Sequence, residues 1–145
     1  MQQRSRVGGY ALSTLTDIFT RRPVDICDRV NDRIQVFTQP GKFVQELTVG
    51  PQTLGIGSVW QFVFSTDEHQ QFLLVADGEN NVIWTIRREA GLLIGQTGHN
   101  GRNAGQFDWL HQLVCDSHGN LYTGEVDTGK RIQKFLLATP DRPSK

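Results

Sequence analysis

Apolar and polar residues alternate in short runs along this chain, and each run stops at a cluster of Gly, Asn, Asp or Ser. Alternation of period two, rich in β-branched and aromatic side chains, predicts half-buried strands rather than helices. Leu110 to Cys115, Leu121 to Glu125 and Arg131 to Leu136 read as three consecutive strands. The first two are separated by Asp116-Ser117-His118-Gly119-Asn120, a turn in which Gly and Asn tolerate positive φ. The same order occurs upstream as Val59 to Ser65, Phe72 to Asp77 and Val82 to Arg87, with an outer strand over Gly91 to Gln96. A further copy gives Val24 to Asp28, Arg33 to Thr38 and Phe43 to Thr48, with Pro40-Gly41 as a turn signal.

These copies are in register. An acid closes the strand before each hairpin at Asp28, Asp77 and Glu125, in steps of 49 and 48 residues. Spacing of this size marks stacked repeats, each burying its apolar surface only against a neighbour. Four short antiparallel strands per copy, with no helix between them, describe a β-propeller blade. The predicted fold is all-β, with about three blades. They cover 24–50, 51–98 and 99–137, after a divergent or truncated first-blade region (1–23) and before a tail (138–145).

Recurrence assigns the most recognisable residues to structure. The pairs Asp28/Asn31 and Asp77/Asn80, together with Glu125, recur at every hairpin. The carboxylate is expected to accept turn N–H bonds and the Asn to occupy the left-handed position. Gly95 to Phe107 is expected to carry the chain between blades, with Phe107 plugging the blade interface. Gly124 to Lys130 imitates a phosphate loop, but Arg131 stands where Ser or Thr is needed and a strand follows.

Charge narrows the classes further. With 15 basic and 15 acidic residues the chain lacks the basic excess of a dedicated nucleic-acid binder. No apolar run is long enough to span a membrane. Cys27 and Cys115 lie in apolar runs at different places in the repeat, so both are expected to be buried thiols rather than a disulfide framework. The first 22 residues carry Arg4, Arg6, Arg21 and Arg22 against Asp17, with Leu12, Leu15, Ile18 and Phe19 at helical spacing. They read as a divergent first repeat, with a targeting helix as the alternative.

Asp28 to Phe37 (Asp-Arg-x-Asn-x-Arg-Ile-Gln-x-Phe) with Gly41-Lys42-Phe43-Val44 resembles the NHL repeat. So does Gly105-Gln106-Phe107, then His111, then Asp116 to Tyr122. The resemblance covers about residues 24–137 and implies a β-propeller, commonly of six blades. At about 48 residues per repeat, 145 residues give roughly half such a ring. The chain is then expected to be part of a longer propeller, or to pair with a second copy as a homodimer.

The chain is also similar in these repeats to the peptidylglycine amidating lyase domain. That likeness implies zinc held by histidines near the start of inner strands, a register that His111 matches. The middle repeat is expected to hold Gln61 there, and 10–16 contains no histidine, so one of three ligands survives. His111 would serve as a zinc ligand only if other blades completed the site; zinc or calcium is the only cofactor implied. Candidate ligand contacts are Trp60, Gln61, Arg102, Trp109 and His111, together with the variable segments 66–71 and 95–106. The leading expectation is a non-catalytic module that binds a protein, peptide or small ligand through inter-blade loops. A lyase-like zinc enzyme is one alternative. The other is RNA binding through Arg29, Arg33, Arg87, Arg88, Lys130 and Arg131, disfavoured because strand and hairpin positions scatter them.

Overall fold

The computed structural model describes residues 23–137, so the readings made for 1–22 and for 138–145 lie outside the described residues. The described residues form ten strands: β1 (Val24–Asp28), β2 (Arg33–Phe37), β3 (Phe43–Thr48), β4 (Gln61–Phe64), β5 (Phe72–Asp77), β6 (Val82–Arg87), β7 (Leu92–Thr97), β8 (Leu110–Cys115), β9 (Leu121–Glu125) and β10 (Ile132–Phe135). They form three separate antiparallel sheets, ordered β1-β2-β3, β4-β5-β6-β7 and β8-β9-β10. Each is a blade, and together they make an open, partial β-propeller.

The boundaries differ from the sequence pattern where turns claim a residue. Thr38 leaves β2 because its hydroxyl accepts the Lys42 N–H at 3.1 Å. Gly91 has φ +62° and belongs to the turn before β7, which shifts that strand one residue along. β4 is four residues rather than seven, and β10 is also trimmed.

Alternation gives each sheet two apolar faces, and the blades stack face to face. Between blades 1 and 2, Cys27, Ile34 and Val36 meet Phe62, Leu73, Val75 and Ile86. Between blades 2 and 3, Ala76 and Ile83 meet Phe107, Leu110 and Leu113, with Phe135 and Leu121 at the margin. Phe107 is fully buried and plugs this junction, its ring 5.9 Å from that of Phe135.

Both junctions also use one polar device. Asp32 and Asn81 lie four residues after the hairpin acid in left-handed backbone, at φ 53° and 56°. Asp32 Oδ1 accepts the Ser58 N–H of the next blade at 2.9 Å, and Asn81 Oδ1 accepts the Leu110 N–H at 3.4 Å. The left-handed position is thus one residue beyond Asn31 and Asn80, where the sequence had placed it. The reason is that Asn31 and Asn80 turn their amides back to the acid instead.

Candidate functional site

At each hairpin the residue opposite the acid decides the partner. Arg33 faces Asp28 and Arg131 faces Glu125, whereas Val82 faces Asp77. Asp28 accepts from Asn31 Nδ2 and Arg33 Nε, both at 2.8 Å. Glu125 accepts from Arg131 Nε and Nη2, from Gln133 Nε2 and from the Asp108 N–H, each at 2.9 Å. Burial pushes its pKa up, but these donors, Arg131 first, outweigh burial and hold it below the usual glutamate value. Asp77 has only neutral donors: Asn80 N–H at 2.9 Å, Asn80 Nδ2 at 2.7 Å and Trp84 Nε1 at 2.8 Å. Burial dominates there and raises its pKa, only partly opposed by those bonds. All three acids are engaged, but only Asp77 accepts a turn N–H, from Asn80; Asp28 is held by side-chain donors, and the backbone donor to Glu125 comes from Asp108 in the preceding linker.

Of the five expected ligand contacts, four come together where β4 and β8 lie side by side. Trp60 is buried, with Trp109 at 5.9 Å, His111 edge-on at 5.3 Å and the Arg29 guanidinium 4.7 Å above its ring. Its indole N–H donates to Gly57 O at 2.8 Å. Gly57 has φ +86°, and a Cβ there would lie 2.0 Å from Arg29 O, so the close approach needs glycine. Gln61 Oε1 accepts the Leu113 N–H at 2.8 Å and ties β4 to β8. Trp60 is the buried centre of this cluster, Gln61, Trp109 and His111 are half-buried around it, and the cluster joins the blades. Arg102 lies apart from it, exposed, 3.3 Å from Asp108 and 3.2 Å from Thr128 O.

His111 does not share a register with Gln61. Leu110 pairs with Glu125 and Gln112 with Gly124, so His111 is the extra residue of a β-bulge. The hairpin partner of Gly124 in blade 3 is Gln112, as that of Ala76 in blade 2 is Gln61. Hence the inner strands carry Gln at matching places, and His111 has no counterpart in β4. Its Nδ1 is buried and meets no hydrogen-bond partner. A single imidazole against a tryptophan edge does not fit a zinc centre, and among the described residues no three His, Cys, Asp or Glu side chains gather as one.

Two further expectations can be placed. Cys27 is buried, but Cys115, the last residue of β8 before the Asp116 turn, is only half-buried; burial and the Asp116 charge raise its thiol pKa. Of the six basic residues considered for RNA, three guanidiniums bind acids: Arg33 to Asp28 and Glu46, Arg88 to Asp25, Arg131 to Glu125. Arg29 and Arg87 cover the rings of Trp60 and Phe72.

The open concavities lie elsewhere. A groove of about 540 Å³ runs between the linker from blade 1 to blade 2 and the outer half of blade 2. Its walls include Gln52, Thr53, Asn80, Trp84, Gln96 and His99, and among the described residues no Asp, Glu, Lys or Arg lines it. Asn80 is fixed there by donating to Thr53 Oγ1 at 2.7 Å, and His99 Nε2 lies 3.0 Å from Gln106 Nε2. A second hollow of about 330 Å³ holds His69, Gln70 and Gln71 beside Arg87 and Arg88. Segment 66–71 lines the smaller hollow and segment 95–106 the larger. Trp84, Gln52 and Asn80 were missed as wall residues. Trp84 sits at a strand position where its blade-1 and blade-3 counterparts are Gln35 and Gln133, and that exception was the available signal.

No helix among the described residues is long and apolar enough to cross a membrane. No protein-family model matches the chain, and no curated protein is recognisably similar to it.

Proposed function

We propose that the chain is a non-catalytic recognition module that takes an uncharged peptide segment, or another small neutral ligand, in the groove beside Trp84. The observation that carries this reading is the wall chemistry. A tryptophan and several primary amides, with no carboxylate, ammonium or guanidinium among the described residues, line about 540 Å³ of open groove. Ligand sites combine an apolar or aromatic surface with a few placed polar groups, within volumes of roughly 300–1,000 Å³. Amides of Gln52 and Gln96 both donate and accept, which suits a peptide backbone better than an ion. The linkers that build the groove are fixed by the blade junctions, so little ordering is needed on binding.

The test is an NMR titration of the full chain with a library of uncharged peptides, following the Trp84 indole resonance. Binding should shift that resonance, and Trp84→Ala should weaken affinity at least tenfold, about 1.4 kcal/mol. Peptides that bind equally well to Trp84→Ala, or a library that leaves the resonance unmoved, would defeat the reading.

A further inference from the structure

The hairpin register identifies equivalent residues in the three blades, and that equivalence shows what each outer face is built to meet. Ile34, Ile83 and Ile132 hold one place, opposite Cys27, Ala76 and Gly124. On blade 1 that face packs on blade 2, and on blade 2 it packs on blade 3. Blade 3 has the same face, and none of the described residues packs on it as a further blade would. Ile83 is 3% exposed, whereas Ile132 is 79% exposed. Val63 and Leu74, paired across blade 2, pack against the blade 3 cluster. Their counterparts on blade 3 are Val114, 59% exposed, and Tyr122.

The opposite face is open to a lesser degree at the other end. Leu73, paired with Ile86, and Val75 form the face of blade 2 that receives blade 1, and all three are fully buried. On blade 3 the corresponding Leu121 and Phe135 receive blade 2. On blade 1 the corresponding residues are Val24, 36% exposed, Ile26, half-buried, and Phe37, 7% exposed and packed edge-on against Phe43, so this face is open mainly at Val24.

We infer that the outer face of blade 3 docks on the outer face of blade 1 of a second copy of this chain. The contact repeats the two junctions already inside the molecule, apolar face to apolar face, and joins unlike surfaces head to tail. A contact of that kind either closes into a ring or continues as an open assembly. Two copies supply six blades, within the four to eight of closed propellers. One element is missing from the repeat: Lys130 stands at the place of Asp32 and Asn81 and brings no acceptor for the incoming N–H. The intermolecular junction is therefore weaker than the internal ones and depends on concentration. This inference is independent of the groove.

Sedimentation of the full chain from low to high micromolar concentration tests it. The wild type should form a dimer or a larger assembly as concentration rises. Ile132→Glu and Val24→Lys place charges on the two exposed faces, and each variant alone should remain monomeric. Their equimolar mixture should regain a dimer, because one junction then pairs two unaltered faces. Circular dichroism checks that both variants keep the wild-type β-sheet spectrum, and Leu92→Glu on the outer rim should leave assembly unchanged. A wild type that stays monomeric throughout overturns the inference. So does association abolished by Ile132→Glu but untouched by Val24→Lys, which would mean a face pairing with itself.

Discussion

Asp77 and Glu125 occupy the same place in neighbouring blades, each buried at the end of the second strand, yet they differ in electrostatic character. Glu125 sits against a guanidinium and has its pKa lowered; Asp77 sits against an indole and amides and has its pKa raised. Position in the repeat fixes where the carboxylate is. The residue across the hairpin, Arg131 or Val82, fixes whether the charge is welcome there. The blade with the apolar partner is also the one whose Trp84 is free to wall a groove as well as bond its acid.

The largest effect should come from removing the acids. Glu125→Ala leaves Arg131 and the Asp108 N–H without their main acceptor and should cost about 3 kcal/mol in urea unfolding. Asp77→Ala leaves only neutral donors and should cost about 2 kcal/mol. An Asp77 loss as large as the Glu125 loss would break the contrast.

Isosteric neutralisation sharpens it through pH. For Glu125, lowered from 4.5, the stabilisation is complete above 4.5 and is lost as pH falls through the folded-state value. For Asp77, raised from 3.8, the folded state holds its proton longer than the unfolded state does. Its contribution is greatest below 3.8 and declines as pH rises through the folded-state value. Relative to Glu125→Gln, the wild type should gain stability with rising pH; relative to Asp77→Asn it should lose some. Urea midpoints between pH 3 and pH 7 decide this, and two slopes of one sign would refute it. Asp116 is a separate contributor: Asn120 and the turn N–H groups hold it at about 2, so its share of stability fades only below 3.8.

Transplanting the partner tests the cause. Val82→Arg with Trp84→Gln gives blade 2 the Arg-x-Gln pattern of Arg33/Gln35 and Arg131/Gln133, and should bring the Asp77 pKa below 3.8, read by carboxyl NMR titration. A pKa that stays raised would mean burial outweighs any partner. The smallest effect belongs to Arg33→Lys, since Arg33 is one-third exposed and shares itself between Asp28 and Glu46. About 0.5 kcal/mol is expected in the same urea assay.

Strand existence, pairing order and blade number were legible because period-two alternation and turn residues act over a few positions. Six of the ten strands begin and end at the residues the pattern marked, among them β5, β6, β8 and β9. The plugging role of Phe107 was legible as well, from a lone aromatic at the end of a glycine-rich linker. His111 was misplaced because a bulge inserts one residue without any change in the local pattern. Trp60 and Trp109 looked like ligand contacts because aromatic side chains serve cores and binding surfaces alike. Only the junction geometry shows Trp60 buried in the seam with Trp109 half-buried beside it.

The sequence alone therefore determined that this chain forms stacked antiparallel blades, that its hairpin acids are structural, and that its repeats are similar but unequal. Those properties depend on residues near each other along the chain. The tertiary structure decided which carboxylate keeps its proton longer, which inner-strand residue lacks a counterpart, and which faces remain bare. Each of those depends on groups tens of residues apart, whose meeting is set by the stacking of blades rather than by local spacing.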